Sequence, residues 1–432
     1  MSSIDPPTSV VSASDAPTAA REVRRFFGQL EGMRAVAAIG VLTTHVAFQT
    51  RAVELPVLGP LLGRLDLAVA LFFGLSGFLL WRPWVAAAHR AVPRPRVRRY
   101  LLHRLVRIWP AYVVVVFVVL TLLPDAKGAD LTVWLANLTL TQVFVPLSLT
   151  AGLTQMWSLS VEVAFYALLP VIGLAMVRLR VADGAGSGRI GWRIPVLFGL
   201  GALSLGWAWL AMVLPVAAGV EPKNWVFGHL PWFLAGLVLA EMVGAIEFDA
   251  RRPVPRWLRV VVGIGARRWV MAALLLVAYV LACTPIAGPT GLGDLAPWQF
   301  AVKMVLGAIC GFAVLAPLVL SAGPFRLLCS RVMLALGRWS YGIFIWHLAV
   351  LAAVFPLFGI VPFNGDFVLV WAITLALTIG VSAASYAFIE EPARRRLRTW
   401  ESVRANRRRA QPDSSPNTAE KTVDETAINA GN

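Results

Sequence analysis

Too little of this sequence is charged to cover a water-soluble surface. Asp, Glu, Lys and Arg supply 14% of its 432 residues, against 58% hydrophobic residues, and the mean hydropathy is +0.72. That balance excludes a single soluble core and predicts an all-α, polytopic membrane protein. Cysteine is scarce as well. Cys283, Cys310 and Cys329 show no metal-site spacing and no disulfide framework, so neither a metal nor a bound cofactor is expected. The first 25 residues are rich in Ser, Pro, Thr, Ala and Asp and lack an apolar core, so they read as a disordered tail and not as a signal peptide. No short repeat is evident.

Long apolar runs dominate the rest. Ten candidate spans lie near 33–51, 65–84, 108–124, 154–176, 194–216, 225–246, 269–287, 298–322, 339–357 and 367–389. Each is near or slightly below the roughly 20 residues a bilayer requires. The shorter stretch 131–146, with Asn137, Gln142 and Pro146, reads as a re-entrant or interfacial segment. The expected organisation is a tail over 1–27, a ten-helix membrane domain over 28–396 and a second disordered tail over 397–432. The seventeen Trp suit membrane interfaces.

Basic residues set the expected orientation. With both termini cytoplasmic, the inner segments collect 33 of the 39 Lys and Arg and the outer loops only Arg51, Arg64, Lys127 and Lys223. The net charge of +16 therefore points to anionic lipid headgroups and not to nucleic acid. The localisation implied is multi-pass in the cell (inner) membrane. The run 89–107 is basic enough to collect an anionic cytosolic ligand or simply to fix topology.

Few polar residues fall inside the spans. Arg34 and His45 share one segment. A step of eleven residues turns a helix through about 1,100°, so the two side chains lie on one face, about 16 Å apart along the axis. A histidine within a span is costly and reads as functional. A cation three turns away on the same face fits an anionic group bound at one end and proton chemistry at the other. Glu162 is expected in the outer half of the fourth span at the depth of His45, either orienting the imidazole or tying two helices together. His347 falls near mid-membrane in the ninth span, where it assists catalysis, lines a substrate path or bonds across helices. Ser76 precedes Gly77 in Phe-Phe-Gly-Leu-Ser-Gly-Phe, which reads as a close-packing step or a nucleophilic serine, although its flanks do not resemble a strand-turn-helix elbow. His229, Glu241 and Lys303 read as interfacial or interhelical groups, and His89 and His103 as solvated.

These segments together resemble the acyltransferase-3 family of integral membrane acyltransferases, over nearly all of 28–396. Leu30-Glu31-Gly32-Met33-Arg34 with His45 is similar to the family's opening signature and its Arg–ten–His motif. Phe72-Phe73-Gly74-Leu75-Ser76-Gly77 resembles the second motif, and Arg104-Leu105-Val106-Arg107-Ile108-Trp109-Pro110 the entry to the third span. Trp157-Ser158-Leu159 with Glu162 resembles the fourth span, Ser340-Tyr341-Gly342 with His347 the ninth, and Phe388-Ile389-Glu390-Glu391-Pro392 the closing motif. Three positions depart from the pattern. Glu31 replaces an Asp, Ala70 stands where a carboxylate is usual, with Asp66 nearby, and no Pro closely follows His347.

The resemblance implies O-acylation, usually acetylation, with acyl-CoA as co-substrate and a carbohydrate, glycolipid or secondary metabolite as acceptor. It also implies His45 as catalytic base and Arg34 as a donor-binding or organising residue. Arg104, Arg107 and Ser76 are the expected donor-binding residues, Glu162 the partner of His45, and His347, Trp157, Ser158 and Tyr341 the expected substrate path. Short outer loops favour an acceptor that arrives within the bilayer. Ala-, Val- and Arg-rich usage points to a GC-rich genome of actinobacterial type, where cell-envelope glycolipids such as trehalose esters, and macrolide-like products, are candidates. The rival classes are a glycolipid transporter or flippase and a non-catalytic partner of an envelope assembly machine. The transporter accounts for the spans but not for an Arg34–His45 face above a basic loop, and the non-catalytic partner predicts that Arg34 and His45 are dispensable. No pair of broken spans marks an inverted repeat either.

Overall fold

A computed structural model of the protein describes residues 27–410, apart from 90, 181–188, 249–254, 292 and 322. Among the described residues every regular element is helical. The expected N-terminal tail lies outside them, except for Phe27.

The helices run in chain order as α1 Gly28–Gln49, α2 Leu58–Ala88, α3 Val97–Leu122, the short α4 Leu131–Leu138, α5 Met156–Arg178, α6 Arg193–Val213 and α7 Pro222–Glu247. They continue with α8 Arg256–Gly265, α9 Arg268–Ala282, α10 Pro297–Leu320 and α11 Arg331–Phe358. Last come α12 Phe367–Ser385, a π-helical turn Tyr386–Glu390 and α13 Glu391–Ala410.

Eight helices among the described residues are long and apolar enough to cross a membrane, with α12 to α13 counted as one. The pair α8 and α9 makes a ninth if it is one span. Helix α1 has the length, 22 residues, but it carries Glu31, Arg34 and His45 and is not among the eight. Each of the ten expected stretches is thus helical, while length and composition support eight or nine crossings. The chain is an all-α, multi-pass membrane protein.

Two expectations on local structure change. The seventh stretch is preceded by α8, and the two helices bend by 77°. Helix α8 is 10 residues long, about 15 Å, which is too short to cross. It exposes Trp257, Val260 and Ile264 beside Arg256 and Arg259, the pattern of a helix lying along an interface. Secondly, the tail expected from 397 is helical as far as Ala410. Its apolar content is low, and charge pairs hold it instead. Arg395 and Arg398 bind Glu391 at 2.9 and 2.8 Å, and Arg99 of α3 binds Glu401 at 2.8 Å. The stretch 131–146 meets its expectation of not spanning, because α4 has only 8 residues. The Asn137 amide closes it by donating to the carbonyls of Val133 and Ser148, each at 2.9 Å.

Helix α7 is the bundle's axis, with 89% of its most apolar window buried. A Cβ at Gly236 would overlap the Gly74 carbonyl, and one at Gly77 the Phe233 carbonyl. Helices α2 and α7 therefore meet backbone to backbone, which small residues permit in lipid. Beside that contact, Phe233 stacks between Phe73 and Phe165, with centroids 4.2 and 3.9 Å away, so α2, α5 and α7 share one aromatic column. One buried charge pair ties α6 to α7, where an unpaired charge would be costly. Arg193 of α6 donates to both oxygens of Glu241 at 2.8 and 3.0 Å, and the Trp81 indole donates to the same carboxylate at 2.6 Å. Glu241 is therefore the interhelical tie that the sequence reading favoured.

Candidate active site

Helix α1 places Arg34 and His45 on one face, and two cavities open along it. A small cavity of about 40 Å³ lies at the Arg34 end, bordered by Ser76, Arg107, Glu162, Tyr166, Ser340 and Tyr341. Its volume admits only a few waters. A chamber of about 1380 Å³ lies at the His45 end, larger than most small-molecule sites. Val69, Ser158 and Phe344 border both cavities and form the wall they share.

The small cavity is a hydrogen-bonded node. Arg34 Nε donates to Ser340 Oγ on α11 at 3.1 Å. Glu162 Oε1 accepts from the Ser76 hydroxyl and from the Tyr166 hydroxyl, the latter at 2.6 Å. The Arg104 guanidinium lies 6.0 Å from the Tyr166 ring centroid, and its buried Nε has no hydrogen-bond partner. Tyr341 is spoken for, since its hydroxyl donates to the Ile108 carbonyl at 2.8 Å. The Ser76-Gly77 step thus serves two purposes: Gly77 packs the helices and Ser76 binds Glu162.

The chamber surrounds His45 with different chemistry. Trp157, Gln155, Asp66, Lys303, His229 and Trp232 line it. Lys303 Nζ holds Asp66 Oδ2 at 2.6 Å, so Asp66, and not position 70, carries the carboxylate on this wall. His45 Nδ1 lies 2.8 Å from the Val41 carbonyl, one turn back on α1. A carbonyl only accepts, so Nδ1 bears the proton and Nε2 keeps a free lone pair. His45 Nδ1 also faces His347 Nε2 at 3.4 Å, with the ring centroids 5.0 Å apart.

One expected pairing is not formed. Glu162 makes no hydrogen bond to His45 among the described residues. It lies one helical turn, about 6 Å, beyond Ser158 toward the Arg end, and there Ser76 and Tyr166 occupy it. The depths of two helices cannot be matched to within a turn from hydropathy alone. His347 takes the place beside His45. It is not among the residues that line the two cavities. Trp157 and Ser158 border the chamber and Tyr341 the small cavity. Among the described residues no group of three or more His, Cys, Asp or Glu could hold a metal ion.

A multi-pass helical bundle holds a cationic cavity that shares a wall with a histidine-bearing chamber. Residues 27–387 match the Acyl_transf_3 family, described as an acyltransferase domain, and the chain belongs to that family. It is similar to the peptidoglycan O-acetyltransferase OatA of Listeria monocytogenes, 24% identical over 396 residues, which cover 87% of this chain and 57% of that protein. It is also similar to the O-acetyltransferase OatA of Staphylococcus aureus, 25% identical over 398 residues, covering 86% and 58%. The chain thus spans a little over half the length of these curated relatives. No solved structure matches it.

Proposed function

We propose that this chain is a membrane O-acyltransferase that moves an acetyl group from acetyl-CoA to a hydroxyl of a carbohydrate or cell-envelope glycolipid. The observation that carries the reading is the α1 face itself, which runs from an arginine-lined cavity at Arg34 to a bare imidazole nitrogen at His45 in a large chamber. Family membership supports the chemistry, the names of both relatives support acetyl as the group, and the name of the Listeria relative supports an envelope glycan as the kind of acceptor.

In this reading the Arg-rich end is cytoplasmic, in the inner membrane. The CoA phosphates dock on Arg104 and Arg107, which suit charge-assisted, forked contacts. The pantetheine arm passes Arg34 and the wall shared by the two cavities to reach His45, which requires side chains of that wall such as Phe344 to move. The acceptor occupies the chamber. His45 Nε2 takes the hydroxyl proton, the oxygen attacks the thioester carbon, the C–S bond breaks, and the thiolate leaves with the proton from the imidazolium. The products are the acetyl ester and CoA.

Deletion of the gene, followed by glycolipid profiling with wild-type or His45→Ala complementation, tests this. The expected result is one envelope species that loses the mass of an acetyl group on deletion and regains it only with the wild type. General-base loss costs about 10²- to 10⁴-fold, so the variant reaches the membrane at normal level without restoring the ester. Equal restoration by both would remove His45 from catalysis and favour a transporter.

A further inference from the structure

His347 on α11 is 1% exposed and lines neither of the two cavities, yet its ring faces His45. Its Nδ1 lies 2.7 Å from the Phe344 carbonyl and 3.2 Å from the Ile343 carbonyl. Two acceptors fix the proton on Nδ1, so the neutral ring presents a bare lone pair at Nε2. That lone pair points at His45 Nδ1, 3.4 Å away. The His45 N–H is thus shared between the Val41 carbonyl and an imidazole lone pair. The Val41 carbonyl is already engaged by the backbone N–H of His45, as in any α-helix, so it is a divided acceptor.

We propose that His347 is a positioning residue for acyl transfer: it holds His45 as the Nδ1–H tautomer with Nε2 bare toward the chamber, and it accepts the stronger hydrogen bond that forms when His45 becomes an imidazolium. This rests on the reading of His45 as the base. In the serine proteases a buried aspartate orients the histidine. Within a membrane bundle an unpaired carboxylate is costly, whereas a neutral imidazole supplies the acceptor without adding charge. No proton is transferred to His347. The acceptor's proton stays on His45 Nε2 until the thiolate takes it.

The test has two arms on the full chain. The protein has five histidines, so [15N]histidine labelling gives five imidazoles to assign by single substitutions. The expected spectrum has both His45 and His347 as Nδ1–H tautomers, with a changed His45 Nδ1 signal in His347→Phe. An Nε2–H tautomer at His347 would overturn the proposal. The second arm measures transfer from radiolabelled acetyl-CoA into the envelope material of membrane vesicles. His347→Phe should lower turnover by about tenfold or more, the worth of a hydrogen bond to a charged group, with the KM for acetyl-CoA unchanged. His347→Gln, whose amide oxygen accepts from His45 Nδ1, should recover most of it. Equal loss in both variants, or none in His347→Phe, would also overturn the proposal. Absence of transfer by the wild type would instead refute the proposed function, and the spectra would still decide the tautomers.

Discussion

The two cavities along α1 are opposites in charge and in slack. Around the small one Arg34 and Arg107 face a single carboxylate, Glu162, and Glu162 Oε1 already accepts two hydroxyls. Around the chamber the acids Asp66, Asp125, Glu221 and Asp294 outnumber Lys223 and Lys303. Both lysines are engaged, Lys303 by Asp66 at 2.6 Å and Lys223 by the Leu295 carbonyl at 2.9 Å. One end is therefore built for an anion and tightly held. The other is acidic, roomy and rich in aromatic rings, and suits an uncharged or cationic polyol better than an anionic one. His45 lines the chamber, and in the proposed reaction the donor reaches it from the small-cavity side while the acceptor occupies the chamber.

The largest effect expected from this contrast is at Arg107. Its guanidinium has the small cavity on one side, and charge-assisted hydrogen bonds are worth about 1.5–3 kcal/mol. Arg107→Ala should raise the KM for acetyl-CoA by about 10- to 100-fold while transfer at saturating donor is nearly kept. Arg107→Lys should recover only part, because the charge remains but the fork does not. The measurement is initial-rate transfer from radiolabelled acetyl-CoA in membrane vesicles. An unchanged KM would dissociate the cationic cavity from the donor.

Glu162→Gln comes next and separates the two cavities directly. Were Glu162 the orienting partner of His45, its neutralisation would resemble the loss of the triad aspartate, about 10⁴-fold in the serine proteases. The structure ties it to Ser76 and Tyr166 instead, and a glutamine oxygen still accepts from both. The expected fall in turnover is about tenfold or less, since each such bond contributes about 1 kcal/mol. A loss as deep as that of His45→Ala would mean that the two sites act as one during turnover.

This divergence shows which parts of the molecule were legible beforehand. The α1 face follows from an eleven-residue spacing within one helix, and no second helix is needed to read it. The positions of the long helices follow equally from their apolar length. What depends on how two helices are turned and staggered was not legible. A one-turn difference in depth, about 6 Å, decides which side chain meets His45: Glu162 falls beside Ser76 and Tyr166, and His347 lies beside His45. Helix α13 was missed for another reason. Its stability lies in charge pairs such as Arg395–Glu391 and in docking on α3, and hydropathy does not register either. The i, i+4 spacing of Glu391 and Arg395 is the signal that would have revealed it.

The smallest expected effect is the most discriminating, and it is at Lys303. Lys303→Met keeps the length of the side chain and leaves Asp66 without its cation. The side chains of Lys303 and Asp66 are 17% and 36% exposed, so water and salt screen the change. The chamber becomes more acidic, and the field reaching the small cavity is weak beyond about 10 Å at 0.1 M salt. The KM for acetyl-CoA should therefore stay within about threefold of the wild type, well short of the Arg107→Ala shift. What should move is the response to charged amphiphiles added to the vesicles. An anionic glycolipid should compete less well with the natural acceptor, and a cationic one better, with both differences shrinking as salt is raised. If Lys303→Met instead raised the KM for acetyl-CoA as Arg107→Ala does, the donor would be reaching His45 through the chamber. The assignment of one cavity to each substrate would then have to be reversed.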